Sequence, residues 1–167
     1  MNKKVLYIMC GAAGSGKTTW VRESATPGVS AHISRDRIRF EMVPEDEYYF
    51  SKEDEVYAEF VRQIAQALNS PWVEEVYADA THLNKKAREK LVKELAAYNV
   101  KYILAAIVIR PSLEETLKRN ANRTGRENVP ESVIKNMYNS YTNPLNDNLH
   151  YSYVLVNDET ILGEVGM

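Results

Sequence analysis

The 167-residue sequence contains one cysteine, Cys10, and no hydrophobic run approaching the roughly 20 residues of a membrane-spanning helix. A single cysteine excludes a disulfide framework and a zinc site built from several thiolates. Seven glycines and six prolines are too few for a collagen-like or low-complexity chain. Neither sign of charge dominates, because 21 Lys and Arg are balanced by 23 Asp and Glu. Any polyanion must therefore bind at a local basic site and not on a broadly basic surface.

What remains is an ordinary globular composition, with 44% hydrophobic and 26% charged residues. The apolar run Val5–Met9 follows two lysines, but it is too short for a signal peptide, and glycines with another lysine come directly after it. We therefore expect a soluble, cytoplasmic protein with no membrane association. The length predicts a single domain, residues 1–167, with room for a lid. The sequence leaves the oligomeric state open.

Short apolar runs rich in β-branched residues alternate with longer amphipathic segments. The runs are continuous, as in strands buried on both faces of a parallel sheet; they are Val5–Cys10, Val29–Ile33, Val73–Ala78, Tyr102–Ile109 and Tyr151–Val156. Asn84 and Ser112 stand where helix N-caps are expected, and Pro130 suits the first turn of a helix. The alternation predicts an α/β fold with a five-stranded, mainly parallel sheet flanked by helices.

The first predicted strand leads into a complete phosphate-binding loop, G-x-x-x-x-G-K-[S/T], and a helix follows it. Backbone N–H groups of such a loop converge on phosphate oxygens, and the helix N-terminus adds its positive end. Lys17 would reach the β- and γ-phosphates, and the Thr18 hydroxyl would bind the Mg²⁺ that bridges them. The motif thus predicts a nucleoside triphosphate with Mg²⁺, but it names neither the base nor the acceptor. The candidate ATP-binding residues here are Gly11, Ala12, Ala13, Gly14, Ser15, Gly16, Lys17, Thr18 and Thr19.

Charged residues follow the second predicted strand, in the segment 34–39 (SRDRIR). Ligands bind at the carboxyl ends of strands in open α/β sheets, so Asp36 would lie near the phosphate-binding loop. A carboxylate there can accept a hydrogen bond from an attacking hydroxyl and take its proton. Arg39 would share its face if the segment is helical, and it offers a fork for an anionic acceptor. The alternative is that Asp36 caps a short helix and the arginines form a solvated face.

Two further residues follow the third predicted strand. Asp79 closes that strand, where it could bind magnesium through water or orient Arg39 in an ion pair; the alternative is a plain turn residue. We interpret His82 as a loop residue and not a metal ligand, because no second His or Cys is spaced for a metal.

The stretch 118–126 (KRNANRTGR) is the most basic in the chain and lies between two predicted helices. Gly125 is a hinge candidate, and phosphoryl-transfer enzymes carry a lid at such a place. An arginine delivered from a lid onto the transferring phosphate raises the rate by roughly 10³- to 10⁵-fold. The alternative is a solvated helix end whose basic side chains favour the C-terminal dipole.

One segment, residues 41–52, fits neither the helical nor the strand spacing of apolar residues. Residues 41–52 are acidic and aromatic, which predicts a loop; Tyr48, Tyr49 and Phe50 within it could stack acceptor bases or serve only in packing. Residues 157–163, after the fifth strand, are a candidate contact for the nucleotide base.

Four segments, in this order, resemble the kinase domain of the bacteriophage polynucleotide 5′-hydroxyl kinase family: GAAGSGKTTW, SRDRIR, DATHLN and KRNANRTGRENVPESVIKNMY. The resemblance runs from about Lys4 to Tyr141. It implies a P-loop kinase fold with a small helical lid at about 118–130. The implied activity, in nucleic-acid repair, is transfer of the ATP γ-phosphate to the 5′-hydroxyl end of DNA or RNA.

The same resemblance implies roles for single residues. Asp36 matches the general base, and Arg39 matches the residue that holds the 3′-phosphate of the acceptor. Asp79 matches a residue that supports the acceptor site, and Arg123 matches a lid arginine that contacts the ATP phosphates. The lid is one residue longer than the family pattern, which leaves open an exchange of roles between Arg123 and Arg126.

The rival predictions share the phosphate-binding loop. A small-molecule kinase, acting on a nucleoside, sugar or antibiotic hydroxyl as zeta-toxin-like kinases do, would also carry an acceptor Asp and nearby arginines. A P-loop ATPase or binding module that drives a partner is a different class, and no sensor-type arginine system supports it.

Overall fold

The computed structural model describes residues 3–158, which form one sheet with helices on both faces. The strands are β1 (Val5–Cys10), β2 (Ser30–Ser34), β3 (Glu75–Asp79), β4 (Ile103–Arg110) and β5 (Tyr151–Asp158). The helices are α1 (Lys17–Ser24), α2 (Arg35–Met42), α3 (Glu53–Asn69), α4 (Lys85–Ala96), α5 (Leu113–Ala121) and α6 (Glu131–Ser140), with 3₁₀ turns at Gly125–Glu127 and Pro144–Asn146. The sheet order is β2-β3-β1-β4-β5, and every pairing is parallel. The predicted five-stranded α/β fold is confirmed.

The register of the strands decides where the site lies. β1 is central and pairs with β3 on one side and β4 on the other. Ser34, the last residue of β2, is level with Asp79, the last residue of β3. Because parallel strands end at one edge of the sheet, the residues that follow β1, β2 and β3 are brought to the same edge.

Apolar side chains are buried on both faces of the sheet, which explains why the strands lack strict alternation. On one face α3 and α4 pack against the sheet through residues such as Phe60, Ile64 and Leu91, all fully buried. On the other face the short α1 packs through Val21 against a smaller cluster that includes Met9 and Ile107. The phosphate-binding loop thus connects two elements, β1 and α1, that are both packed into the molecule.

The predicted N-caps are present. The side chain of Asn84 accepts a hydrogen bond from the Ala87 N–H over 3.0 Å, and Ser112 accepts one from Glu115 N–H over 3.1 Å. Pro130 is the residue before α6 and does not lie within its first turn. The predicted loop 41–52 begins only at Val43, because α2 continues through Met42. Within residues 3–158, no helix is both long and apolar enough to cross a membrane.

Candidate active site

The phosphate-binding loop joins β1 to α1 and has the backbone shape that its glycines allow. Gly16 has φ of 101° at the N-cap of α1, a conformation that favours glycine. A Cβ on Gly11 would lie 2.4 Å from the Ile109 carbonyl oxygen, so no larger residue fits there. The hydroxyl of Ser15 is buried in the loop and has no hydrogen-bond partner among the described residues. An orphaned buried donor in this position fits a loop shaped to receive an anionic ligand.

Lys17 lies within the same loop, buried, and its ammonium donates to the Ala12 carbonyl oxygen over 2.9 Å. Burial lowers its pKa, and the negative charges of Asp79 and Asp36 act in the opposite direction. The ammonium therefore sits among acidic groups inside the loop, where it is placed to meet phosphate oxygens.

Asp79 lies beside the phosphate-binding loop. Its carboxylate accepts a hydrogen bond from the Thr18 hydroxyl over 2.8 Å, and His32 Nε2 lies 2.8 Å from the same oxygen. Burial alone would raise the pKa of Asp79, but the hydrogen bond to His32, the charge of Lys17 and the Thr18 hydroxyl hold it below its ordinary value. A hydroxyl and an ionised carboxylate in contact are the pair that holds Mg²⁺ in P-loop proteins, so this donor set fits the ion.

Asp36 is in the first turn of α2, and its side chain is 57% exposed into the cleft. Arg39, one turn later on the same face, donates through Nη1 to Asp36 over 2.6 Å. The other side of the Arg39 fork, Nε and Nη2, donates to both carboxylate oxygens of Glu53 at the start of α3. Burial alone would raise the pKa of Glu53, but its contacts with Arg39 and Arg35 lower it overall. The Arg39 guanidinium is therefore occupied on both sides and fixes Asp36 in place.

Tyr49 completes this group. Its hydroxyl lies 3.3 Å from the Asp36 carboxylate and 3.4 Å from Arg39 Nη1. The Arg39 guanidinium lies over the Tyr49 ring, 4.9 Å from the ring centroid, and the Arg126 guanidinium lies 5.7 Å from the same centroid. We call Asp36, Arg39, Tyr49 and Glu53 the acceptor cluster.

The lid between α5 and α6 reaches both halves of the cleft. On the nucleotide side, Arg119 donates to the Ser15 carbonyl oxygen over 2.9 Å, and Arg123 lies 3.8 Å from the position of a Cβ on Gly14. On the opposite side, Arg126 donates to the Val43 carbonyl oxygen over 2.9 Å. Arg123 thus stands at the phosphate-binding loop, whereas Arg126 stands against the acceptor cluster.

One cleft of about 820 Å³ connects these parts, since the phosphate-binding loop, the acceptor cluster and the three lid arginines all line it. Of the predicted site residues, Gly11 and Ala12 are not among its lining. They support the loop from behind, where both are buried.

One sequence expectation does not match the contacts. Asp79 does not pair with Arg39; it contacts Thr18 and His32, because its place at the end of β3 faces α1 and not α2. Arg126, predicted as an ATP contact, lines the cleft, and its side chain contacts Val43 and the ring of Phe40, because the turn Gly125–Glu127 places it over α2. Of the candidate base contact 157–163, only Asn157 and Asp158 are described; Asn157 lines the cleft, and residues 159–163 lie outside the described residues.

Three residues of the site were missed by the sequence prediction: Glu53, His32 and Arg119. Glu53 is 14 residues from Arg39, and His32 is 47 residues from Asp79, so only the tertiary fold pairs them. Arg119 lies in the basic stretch 118–126, which was singled out as a whole. Its position on the last turn of a helix with Ser112 as N-cap is the signal that could have identified it.

Solved structures with this fold include three whose names bear on function. A chain of the Pnkp1/Rnl/Hen1 RNA repair complex aligns with 84% of this chain at 21% identity, with a TM-score of 0.66, and this chain spans only 44% of its length. A fungal RNA kinase aligns with 95% of this chain and 78% of its own at 16% identity, with a TM-score of 0.62. Kti12 of Chaetomium thermophilum, in complex with ADP-AlF3, aligns with 96% of this chain and 94% of its own at 18% identity, with a TM-score of 0.61.

These identities are low, so the likeness establishes the P-loop kinase fold and leaves the acceptor a prediction. No curated protein sequence matches the chain. A family match, in contrast, runs from β1 to beyond the end of α6, over residues 6–144. Because this range takes in most of the sequence, including the phosphate-binding loop, the acceptor cluster and the lid, the chain belongs to the AAA domain family of P-loop proteins.

Proposed function

We propose that the protein is an ATP-dependent kinase that transfers the γ-phosphate to the 5′-hydroxyl end of DNA or RNA. The observation that carries the proposal is the single cleft in which a phosphate-binding loop faces a carboxylate held by an arginine, with lid arginines between them. A P-loop ATPase needs a site for water at the γ-phosphate. A fixed side chain can orient that water as it can orient a hydroxyl, so the labelling assay described below distinguishes the two acceptors.

On the nucleotide side, the loop N–H groups and Lys17 would hold the phosphates, and Arg119 and Arg123 would approach from the lid. Thr18 and Asp79 are the residues that would hold Mg²⁺, which, when bound, neutralises charge between the β- and γ-phosphates. Arg123 is the candidate catalytic arginine, because it lies against Gly14 at the mouth of the loop.

On the acceptor side, Asp36 would accept a hydrogen bond from the attacking hydroxyl and receive its proton. A carboxylate is a weak base for an alcohol, but phosphoryl transfer has a loose transition state in which the proton leaves late. Asp36 therefore acts mainly by aligning the hydroxyl. Arg39 and Tyr49 keep its carboxylate in one position.

Two arguments favour a nucleic-acid end as the acceptor. The four segments that resemble polynucleotide 5′-hydroxyl kinases include both the acceptor helix α2 and the lid. Two of the solved structures that share the fold come from an RNA repair complex and an RNA kinase. Arg39 already donates to Asp36, Tyr49 and Glu53, so it could offer a 3′-phosphate of the acceptor its remaining Nη2 hydrogen without losing these contacts.

One observation favours a small-molecule kinase as the second candidate. Residues 45–47, Glu-Asp-Glu, are exposed in the loop that precedes Tyr48 and Tyr49. This acidic segment, which precedes the acceptor cluster in the chain, would repel a long polyanion and would not repel a neutral or cationic acceptor.

The two candidates are separated by one assay. The protein is incubated with γ-labelled ATP and, in parallel, with 5′-hydroxyl oligonucleotides of DNA and RNA, nucleosides, sugars, aminoglycosides or no acceptor. Label on the oligonucleotide 5′ end supports the proposal, and label on a small molecule alone supports the second candidate. Free phosphate at the same rate in every arm would contradict both.

The variant Asp36→Asn tests the acceptor cluster. It keeps the size of the side chain but removes its charge, and we expect kcat to fall by about 100-fold, within the range for loss of a general base. ATP affinity should change little. Single-turnover phosphorylation and an ATP-binding titration measure the two effects. Asp54→Asn, an exposed neighbour outside the cleft, is the matched control. Loss of ATP binding with an intact transfer rate would place Asp36 in the nucleotide site.

A further inference from the structure

Three consecutive aromatic residues, Tyr48, Tyr49 and Phe50, lie between α2 and α3, and their surroundings differ. Tyr49 is packed in the acceptor cluster, with guanidinium groups near its ring. Tyr48 is 73% exposed and does not line the cleft. Phe50 is 41% exposed and does line it. Only Phe50 therefore combines an open ring with a position in the site.

The contacts of Phe50 come from its immediate neighbours. Tyr48 and Tyr49 meet it edge to face, with centroids at 5.8 Å and 4.8 Å, and the Arg39 guanidinium lies 5.1 Å from its centroid. Phe50 belongs to neither of the two apolar clusters formed by the described core residues. Core packing therefore does not explain why a phenyl ring is held at this place.

Arg39 links the Phe50 ring to Asp36, the candidate general base. The same guanidinium touches the Phe50 ring and donates to the Asp36 carboxylate over 2.6 Å. A molecule whose hydroxyl binds at Asp36 can therefore reach Phe50 within the same cleft. In a nucleotide, one sugar ring separates the 5′-hydroxyl from a flat aromatic base.

We propose that Phe50 is a stacking platform for the terminal base of the acceptor, so that the enzyme selects hydroxyls borne by a nucleoside unit. The inference rests on the proposed kinase function and narrows its acceptor class. Stacking accepts any base, because every base has a π-face. Stacking also needs no positive charge. It is therefore compatible with the nearby acidic segment 45–47, which would weaken contacts to phosphate.

The test compares two oligonucleotides that differ only in the 5′-terminal residue, one normal and one abasic with its 5′-hydroxyl retained. For the wild type we expect kcat/KM to be roughly 5- to 150-fold lower on the abasic acceptor, the range for one stacked base. Phe50→Ala should lower kcat/KM on the normal acceptor by a similar factor and leave the abasic value nearly constant. Phe50→Trp should keep the preference for the base.

Two further variants serve as controls. Phe50→Leu retains an apolar side chain without a π-face, and it should behave like Phe50→Ala if stacking, not folding, is lost. Trp72→Ala removes another exposed ring, 78% exposed in the loop before β3 and outside the cleft, and it should retain the wild-type preference. Thermal melts of all four variants show whether each one is folded.

The outcomes separate this inference from the proposed function. Equal wild-type rates on the two oligonucleotides, or equal losses on both in Phe50→Leu, would overturn the stacking platform and leave the kinase proposal standing. If neither oligonucleotide is phosphorylated, the proposed function is overturned and, with it, the inference. A base preference that disappears in Phe50→Leu and persists in Trp72→Ala supports the platform.

Discussion

The Lys17 ammonium is buried in the phosphate-binding loop and bonded to the Ala12 carbonyl oxygen. Its charge would act on the charge that develops on the transferring phosphoryl group, so its removal should affect the transition state more than the fold. We expect Lys17→Ala to lower kcat by at least about 100-fold.

Single-turnover phosphorylation measures the loss, and Lys118→Ala is the control. Lys118 carries the same charge in the lid, but it is exposed and does not line the cleft. Turnover near the wild-type level in Lys17→Ala would remove Lys17 from the catalytic group.

Sequence predicted the members of the site better than their partners. Asp36 and Arg39 could be placed because they follow a strand and lie one helical turn apart. The ion pair of Arg39 with Glu53 could not, because Glu53 belongs to another helix and its position depends on how α2 and α3 pack. The same holds for His32 and Asp79, which are adjacent only because β2 pairs with β3. Contacts between residues of different elements leave no pattern of fixed spacing in the sequence.

At the scale of elements, the lid is a bridge between the two halves of the cleft. Arg119 and Arg123 lie at the phosphate-binding loop, and Arg126 lies against Val43 and the rings of Phe40 and Tyr49. We therefore expect a ligand that orders the lid also to order residues 43–50, which include Tyr49 of the acceptor cluster.

The variant Arg126→Ala tests this bridge without any acceptor. In the wild type, a non-hydrolysable ATP analogue should slow amide hydrogen exchange in residues 43–50 as well as in the lid. In Arg126→Ala the slowing should remain in the lid and disappear from 43–50, because the bond to Val43 and the stacking on Phe40 are lost. Arg126→Lys, which keeps the charge but not the planar fork, should be intermediate.

Hydrogen exchange followed by mass spectrometry gives both regions in one experiment, and Arg123→Ala is the control. That variant should lower affinity for the analogue itself. Protection of 43–50 that persists in Arg126→Ala would show that the lid is not coupled to residues 43–50 through Arg126.

The elements themselves were predicted closely because their signals are local. Strand β1 was predicted to the residue, and the other four strands differ by two residues or fewer at each end. The caps at Asn84 and Ser112 follow from side-chain chemistry within one turn. The strand order β2-β3-β1-β4-β5 had no such signal, since it depends on which crossovers pack best over the whole sheet.

At the scale of the whole molecule, charge is distributed unevenly although the net charge is only −2. The nucleotide side of the cleft has Lys17 and the lid arginines Arg119 and Arg123, a local excess of positive charge. On the acceptor side, Arg39 is neutralised by Asp36 and Glu53. Arg126 is the further positive group on the acceptor side, so attraction for phosphate there would depend mainly on Arg126, whereas Lys17, Arg119 and Arg123 would act together on the nucleotide side.

The centre of the molecule also contains a histidine that supports the strand edge below the site. His82 is buried, has φ of 39°, and donates through Nδ1 to the Met9 carbonyl oxygen over 2.9 Å, whereas its Nε2 has no partner among the described residues. Its own carbonyl accepts from Arg88, whose guanidinium forms a fully buried ion pair with Asp147. The pKa of His82 is lowered to about 4, and burial is the largest cause. The hydrogen bond to Met9 and the nearby charges have smaller effects on the pKa.

This histidine should make folding stability depend on pH. Below its unfolded pKa of about 6.5, the unfolded chain binds a proton that the folded chain binds only near pH 4. The contribution of neutral, buried His82 to folding stability is therefore fully present above pH 6.5 and is lost as pH falls toward 4. Between pH 7.5 and pH 5 the loss due to His82 should be about 2 kcal/mol.

Urea unfolding of the wild type and His82→Asn at the two pH values measures this loss. Asn tolerates a positive φ and can still donate to the Met9 carbonyl, but it does not titrate. The other titrating groups are common to both proteins, so the wild type should lose about 2 kcal/mol more than the variant between pH 7.5 and pH 5. Equal losses in the two proteins would mean that the folded chain accommodates the protonated imidazole. In that case the free Nε2 faces a space open to water, and the strand edge beneath the phosphate-binding loop is less tightly packed than its buried residues indicate.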